Sequence, residues 1–165
     1  MIILGIDPGT ATTGYGLIKV VGNKYKLLDY GCIRTPAHTP MPKRLKMIYT
    51  AMCRLLDENK PDQLAIEQLF FNSNTTTAIS VGQARGVLVL AAAQRQIPVG
   101  EYTPLQVKQS IVGYGQAEKH QVKYMVGRFL NMKEPPRSDD AADALAIAIC
   151  HSHYYQSRKM IVREE

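Results

Sequence analysis

The chain has 165 residues, 45% hydrophobic and 21% charged, which fits one globular domain with a core of its own. Twenty Lys and Arg stand against 14 Asp and Glu, a formal net charge of +6, so a polyanionic partner suits it. No wholly apolar run reaches the roughly 18 residues of a membrane span, the Met1–Asp7 start lacks a signal peptide's basic residues, and the odd, scattered Cys32, Cys53 and Cys150 predict reduced thiols in a cytoplasmic protein rather than a disulfide framework.

Ile2 to Asp7 is a short apolar strand ending at the turn signal Asp7-Pro8-Gly9. Gly14 to Val21 and Tyr25 to Arg34 are two more β-rich runs with short separators, which predicts an antiparallel meander. Pro42 to Leu56 reads as a helix, with Leu45, Ile48, Met52, Leu55 and Leu56 on one stripe and Pro61 beyond its end. Leu64 to Glu67 is a buried-type strand. A polar stretch from Asn72 to Thr77 leads into a helix from about Thr75 to Gln94. Pro98 to Tyr102 is the fifth strand. Thr103-Pro104 opens a helix through Val112, Gly113 to Gly115 is a flexible link, and Glu118 to Leu130 is helical. Ser138-Asp139 caps a last helix, and 156–165 reads as a charged, frayed tail. Hairpin strands followed by alternating helices and strands predict an α/β fold. Its five-stranded mixed sheet has three antiparallel strands first and helices on its faces. Residues 1–155 form a single domain, without internal repeats.

Acids fall at the ends of these elements. Asp7 closes the first strand and Glu67 the fourth, at the edge where α/β sheets collect ligands. Asp140 and Asp143 share one helix face, and Asp139, four residues before Asp143, is admitted to it by spacing. Singly, each acid has a plain role as turn residue, strand end or helix-dipole complement. Together they suggest a carboxylate site, whose mutual repulsion a divalent cation would relieve. Carboxylates without His or Cys suit Mg²⁺ or Mn²⁺. Two such ions could serve phosphodiester hydrolysis without a nucleophilic side chain. Cys150, His151 and His153 complete no zinc motif.

Six segments occur in order: Gly5-Ile6-Asp7-Pro8-Gly9, Ala65-Ile66-Glu67-Gln68, Gly82-Gln83-Ala84-Arg85-Gly86, Val107-Lys108-Gln109, Gly115-Gln116-Ala117-Glu118-Lys119 and Asp140-Ala141-Ala142-Asp143-Ala144-Leu145-Ala146. Over about residues 2 to 154 the chain resembles the RuvC family of Holliday-junction resolvases. The resemblance implies a ribonuclease-H-like fold and a Mg²⁺-dependent homodimeric endonuclease, with two ions per site and Mn²⁺ able to substitute. It implies paired symmetric nicks in four-way junction DNA and a partnership with the RuvA–RuvB branch-migration motor. The matched catalytic and metal positions are Asp7, Glu67, Asp140 and Asp143, the family pattern preferring Asp140 to Asp139. Lys108 and Lys119 match DNA-facing positions, and Phe70 the base-stacking position, although the adjacent Phe71 leaves that assignment open. Gly82 and Gly86 share a helix face suited to close approach, in a dimer or onto the chain's own sheet.

Rival functions also fit parts of the pattern. The first motif resembles the phosphate loop of actin-like and sugar-kinase ATPases, which need two such domains. It is also shared with nucleases that trim structured RNA. A catalytically silent junction-binding protein would not need the full set of four acids.

Overall fold

The computed structural model describes the backbone of residues 1–69 and 75–163 and the side chains of 1–69 and 76–157. The strands are β1 (Ile2–Asp7), β2 (Thr12–Val21), β3 (Lys24–Arg34), β4 (Gln63–Glu67) and β5 (Val99–Tyr102). The helices are α1 (Met41–Asn59), α2 (Thr75–Ala93), α3 (Pro104–Val112), α4 (Lys119–Phe129) and α5 (Asp139–Arg163). One sheet has the order β3-β2-β1-β4-β5. The first three strands form the expected meander, while β4 and β5 run parallel to β1. This is the ribonuclease-H-like arrangement.

Period-two alternation along the strands divides the core. Leu4, Ile6, Leu17, Leu64 and Ile66 pack with α1 and α2 on one face. Ile3, Ile18, Val20 and Ala65 pack with α3, α4 and α5 on the other. α1 buries Ile48, Met52 and Leu56, three of its expected stripe. It runs to Asn59, where Lys60 caps it with a left-handed φ of 44° and an N–H bond to Leu56 O.

Three predicted features differ. First, α5 continues to Arg163 rather than giving way to a tail at Gln156, whose Nε2 donates to Gly22 O at 3.1 Å. Second, the Gly113–Gly115 link is held in place. Gly113, with φ 96°, caps α3; the Tyr114 hydroxyl donates to Gln121 Oε1 at 2.8 Å; Gly115 lies against Leu105. Third, Thr76–Ala93 of α2 is long and apolar enough to cross a membrane, a span that a search for uninterrupted apolar runs misses because it includes Arg85. Ala84, Leu88, Ala91 and Ala92 of this helix lie in the core under the sheet.

α5 lies almost directly on the backbone of β1 and β2. A Cβ on Gly5 would stand 2.1 Å from Ala144 O, and one on Gly16 2.6 Å from the Leu145 side chain. Ala141, Ala142, Ala144, Ala146 and Ala148 keep the helix slim enough for this approach. Gly5→Ala is therefore expected to lower unfolding stability in urea by roughly 1–3 kcal/mol, because the clash is with helix backbone that cannot rotate away.

Candidate active site

The alternation that builds the core also aims the acids. Asp7 has the parity of Ile3 and Gly5, and Glu67 that of Ala65, so both turn toward the α5 face. Ile6 pairs with Ile66 in parallel register, and Asp7 and Glu67 are the next residues on those adjacent strands. Asp7 is opposite Gly14 on β2. A Cβ on Gly14 would stand 2.0 Å from Asp140 O, so the first turn of α5 rests where Gly14 has no side chain. That contact brings Asp140 and Asp143 over the ends of β1 and β4.

The surrounding segments are tied down. The Thr13 hydroxyl, buried at the start of β2, donates to Gly9 O in the β1–β2 connection at 2.7 Å. Thr35 Oγ1 donates to Thr10 O at 2.7 Å, and Arg44 donates to the Thr35 hydroxyl. After Glu67, Gln68 N donates to Tyr102 O at 2.8 Å, while Arg85 Nε donates to Glu67 O at 3.1 Å. Ser138 immediately precedes α5, its Oγ accepting from Ala141 N at 3.4 Å.

The carboxylates feel one another. Burial first, and then the charges of Glu67, Asp143 and Asp140, push the Asp7 carboxyl up to about 8, against the opposing charge of Lys119. Burial and then Asp143 push Glu67 up to about 7, against Lys119 and Lys108. Burial raises Asp143 as well, with Lys119 the strongest opposing charge. The Lys119 ammonium lies 3.8 Å from Asp143 Oδ2. Asp139, the alternative admitted by spacing, turns away to Lys123 Nζ at 3.0 Å, and that lysine holds its carboxyl below the usual range. Lys123 also donates to Arg137 O at 3.0 Å, fastening α4 to the start of α5.

As a donor set, acids without His or Cys fit Mg²⁺ or Mn²⁺, and their raised proton affinity is the cost a cation would relieve. Among the described residues, however, no group of three or more His, Cys, Asp or Glu side chains is gathered closely enough to hold an ion. The four acids are electrostatic neighbours whose side chains must draw inward to share one. Like charges favour such separation.

The other expected positions divide. Lys108 and Lys119 both act on the acids through space. Phe70, with Phe71, lies outside the described residues. Gly82 faces Leu69 of its own chain at 3.2 Å from a built Cβ, whereas Gly86 has open space around it. Sequence reasoning missed the supporting residues Gly14, Thr13, Lys123 and Arg85. Arg85 stood within a quoted motif, but no signal in that motif tells which carbonyl it reaches.

A ribonuclease-H-like sheet with acids at adjacent strand ends beneath a helix start defines the class. Residues 3–151 match the family model "Crossover junction endodeoxyribonuclease RuvC". The chain is 62% identical to the crossover junction endodeoxyribonuclease RuvC of Desulfitobacterium hafniense over 153 residues, 93% of each chain. It is 57% identical to that of Alkaliphilus metalliredigens over 159 residues, 95% of this chain and 97% of the relative. It also superposes on Thermus thermophilus RuvC in complex with a Holliday junction substrate, with a TM-score of 0.90 and 37% identity over 95% of this chain and 96% of that one. The chain belongs to the RuvC family.

The raised carboxyls predict a pH dependence. A carboxyl that ionises less readily when folded than when unfolded favours the folded state at low pH and loses that contribution as pH rises. For Asp7 the loss runs between the ordinary 3.8 and about 8. In EDTA, the melting temperature of Asp7→Asn relative to the wild type should therefore climb from pH 4 to pH 8, as thermal unfolding across that range can measure.

Proposed function

We propose that this chain is a structure-selective DNA endonuclease that resolves four-way junctions by paired symmetric nicks, using two divalent cations per active site. The observation that carries this reading is the electrostatic coupling of Asp7, Glu67, Asp140 and Asp143, drawn from three elements into one partly buried site. Family membership supports the substrate class. Residues 1–155 form the single nuclease domain of this reading.

Asp7, Glu67, Asp140 and Asp143 would hold the ions, which are Mg²⁺ or Mn²⁺ by donor chemistry. When bound, the ions supply an activated water and stabilisation of the leaving 3′ oxygen. The protein's own part is to carry the four carboxylates on adjacent strand ends and one helix start, where Lys119 favours the ionised forms of Asp7, Glu67 and Asp143. Lys119, largely exposed yet 3.8 Å from Asp143, is suited both to neutralising the acids and to meeting the DNA backbone beside them. Lys108 adds a second positive charge acting on Glu67 and Asp143. Phe70 is the proposed base-stacking residue.

Two equivalent strands of a junction call for two active sites, which a two-fold dimer supplies. The outer face of α2 supports such a dimer. Ile79 (62% exposed), Gln83, Gly86, Leu90 (50% exposed) and Ala93 form an exposed stripe at coiled-coil spacing. A second copy of the same helix is its proposed partner, approaching closest at Gly86; Gly82 supports the face from within, against Leu69. Partnership with the RuvA–RuvB branch-migration motor and a cytoplasmic setting follow from the same family reading.

Asp7→Asn is expected to abolish cleavage of a synthetic four-way junction in Mg²⁺ while leaving gel-shift affinity for it intact, because the change removes an ion ligand and no DNA contact. Loss of binding along with cleavage would count against the assigned role. Leu90→Asp should convert a dimer to a monomer in analytical ultracentrifugation, and an unchanged sedimentation coefficient would remove α2 from the interface.

A further inference from the structure

The segment Gly82–Gly86 contains a side chain to which the nuclease reading gives no task. Arg85 is the lone charged residue of α2. Its side chain is only 20% exposed and is turned toward the sheet. Nε donates to Glu67 O at 3.1 Å, and Nη2 donates to Glu101 Oε2 at 2.5 Å. Glu101 belongs to β5 and is paired in register with Ile66, the residue before Glu67. One guanidinium thus joins α2, the end of β4 and the middle of β5.

The bond to Glu67 falls at a sensitive place. Glu67 O and Gln68 N belong to the same peptide group, and Gln68 N donates to Tyr102 O at 2.8 Å. Arg85 holds the oxygen of that peptide and β5 holds its nitrogen. A planar peptide pinned at both polar atoms has a defined orientation. That sets the backbone dihedral at Glu67, and with it the direction in which the carboxylate leaves the strand. No further strand residue follows Glu67 to do this.

We propose that Arg85 is a positioning residue for the Glu67 carboxylate: it locks the Glu67–Gln68 peptide, with Glu101 holding the guanidinium in place. The proposal rests on the reading of Glu67 as an ion ligand. It uses the planar fork of arginine, which presents separate nitrogens to a carbonyl and to a carboxylate at fixed angles. A lysine keeps the charge but has a single nitrogen, so Arg85→Lys tests geometry apart from charge. A role confined to seating α2 would lower the melting temperature without changing how the acids bind an ion.

The test uses the full chain and Mn²⁺ alone as the probe, titrated by calorimetry in the absence of DNA. Arg85→Lys should weaken Mn²⁺ binding by roughly 10-fold, the usual cost of disturbing a residue that orients a ligand. Junction affinity in EDTA should stay at the wild-type value, since no DNA contact is removed. Junction cleavage should fall at low Mn²⁺ and recover in part at high Mn²⁺. Glu101→Gln, which leaves Arg85 in place but loosens it, should shift Mn²⁺ affinity in the same direction by less, and it carries the test if Arg85→Lys does not fold. Wild-type Mn²⁺ affinity in a folded Arg85→Lys, or in Glu101→Gln should that be the only folded variant, overturns the proposal. A wild type that binds Mn²⁺ but leaves junctions uncut removes the nuclease reading; a drop in Mn²⁺ affinity in Arg85→Lys would still uphold the positioning role. A wild type that binds no Mn²⁺ at millimolar concentration overturns both.

Discussion

Close approach of α5 to the sheet is the contact on which the other features depend. Gly5, Gly14 and Gly16 leave the α5 face of β1 and β2 without side chains at three points; helix backbone fills the space at Gly5 and Gly14, and Leu145, side chain foremost, fills it at Gly16. A side chain at any of them would lift the helix by the thickness of a methyl group or more. The alanines of α5 complete the fit from above. Because Gly14 pairs with Asp7 and touches Asp140, the same packing that closes the core sets the distance between strand acids and helix acids. Core and candidate active site are therefore one construction, and neither can be adjusted without the other.

Bringing those acids together opposes folding. Asp7, Glu67 and Asp143 all resist ionisation, mainly because burial removes water from them and then because they repel each other. Strain of this kind persists only where the rest of the fold determines the geometry. Here the two apolar clusters on either face of the sheet do so. Lys119 and Lys108 offset part of the repulsion. Asp139, one residue from Asp140, pairs with Lys123 on α4 while its charge still raises Asp143 through space. One helical step thus separates an acid that fastens two helices from an acid whose charge is felt by Asp7.

The helix on the opposite face has a divided character that its composition conceals. α2 is apolar nearly throughout, and a membrane span and a buried core helix share that composition. The structure divides its residues by direction. Ala84, Leu88, Ala91 and Ala92 enter the core, Arg85 reaches the sheet edge, and Ile79, Gly86 and Leu90 face outward. Only the sheet's position distinguishes these roles.

Much was legible in the amino-acid order because it depends on local periodicity. Alternation marked the strands, Pro61 and Thr103-Pro104 marked helix limits, and Asp7 and Glu67 stood at strand ends where the pattern broke. The family motifs singled out the same acids. What the order of residues could not determine was every relation between segments far apart in the chain. The placement of β1 between β2 and β4, the choice between Asp139 and Asp140 as a contact of Lys123, and the reach of Arg85 to Glu67 are such relations. Each depends on how closely two surfaces pack, and packing distance is set by side chains from both partners at once. Sequence alone determined which residues would lie on each face of each element; only the tertiary structure decided which faces would meet.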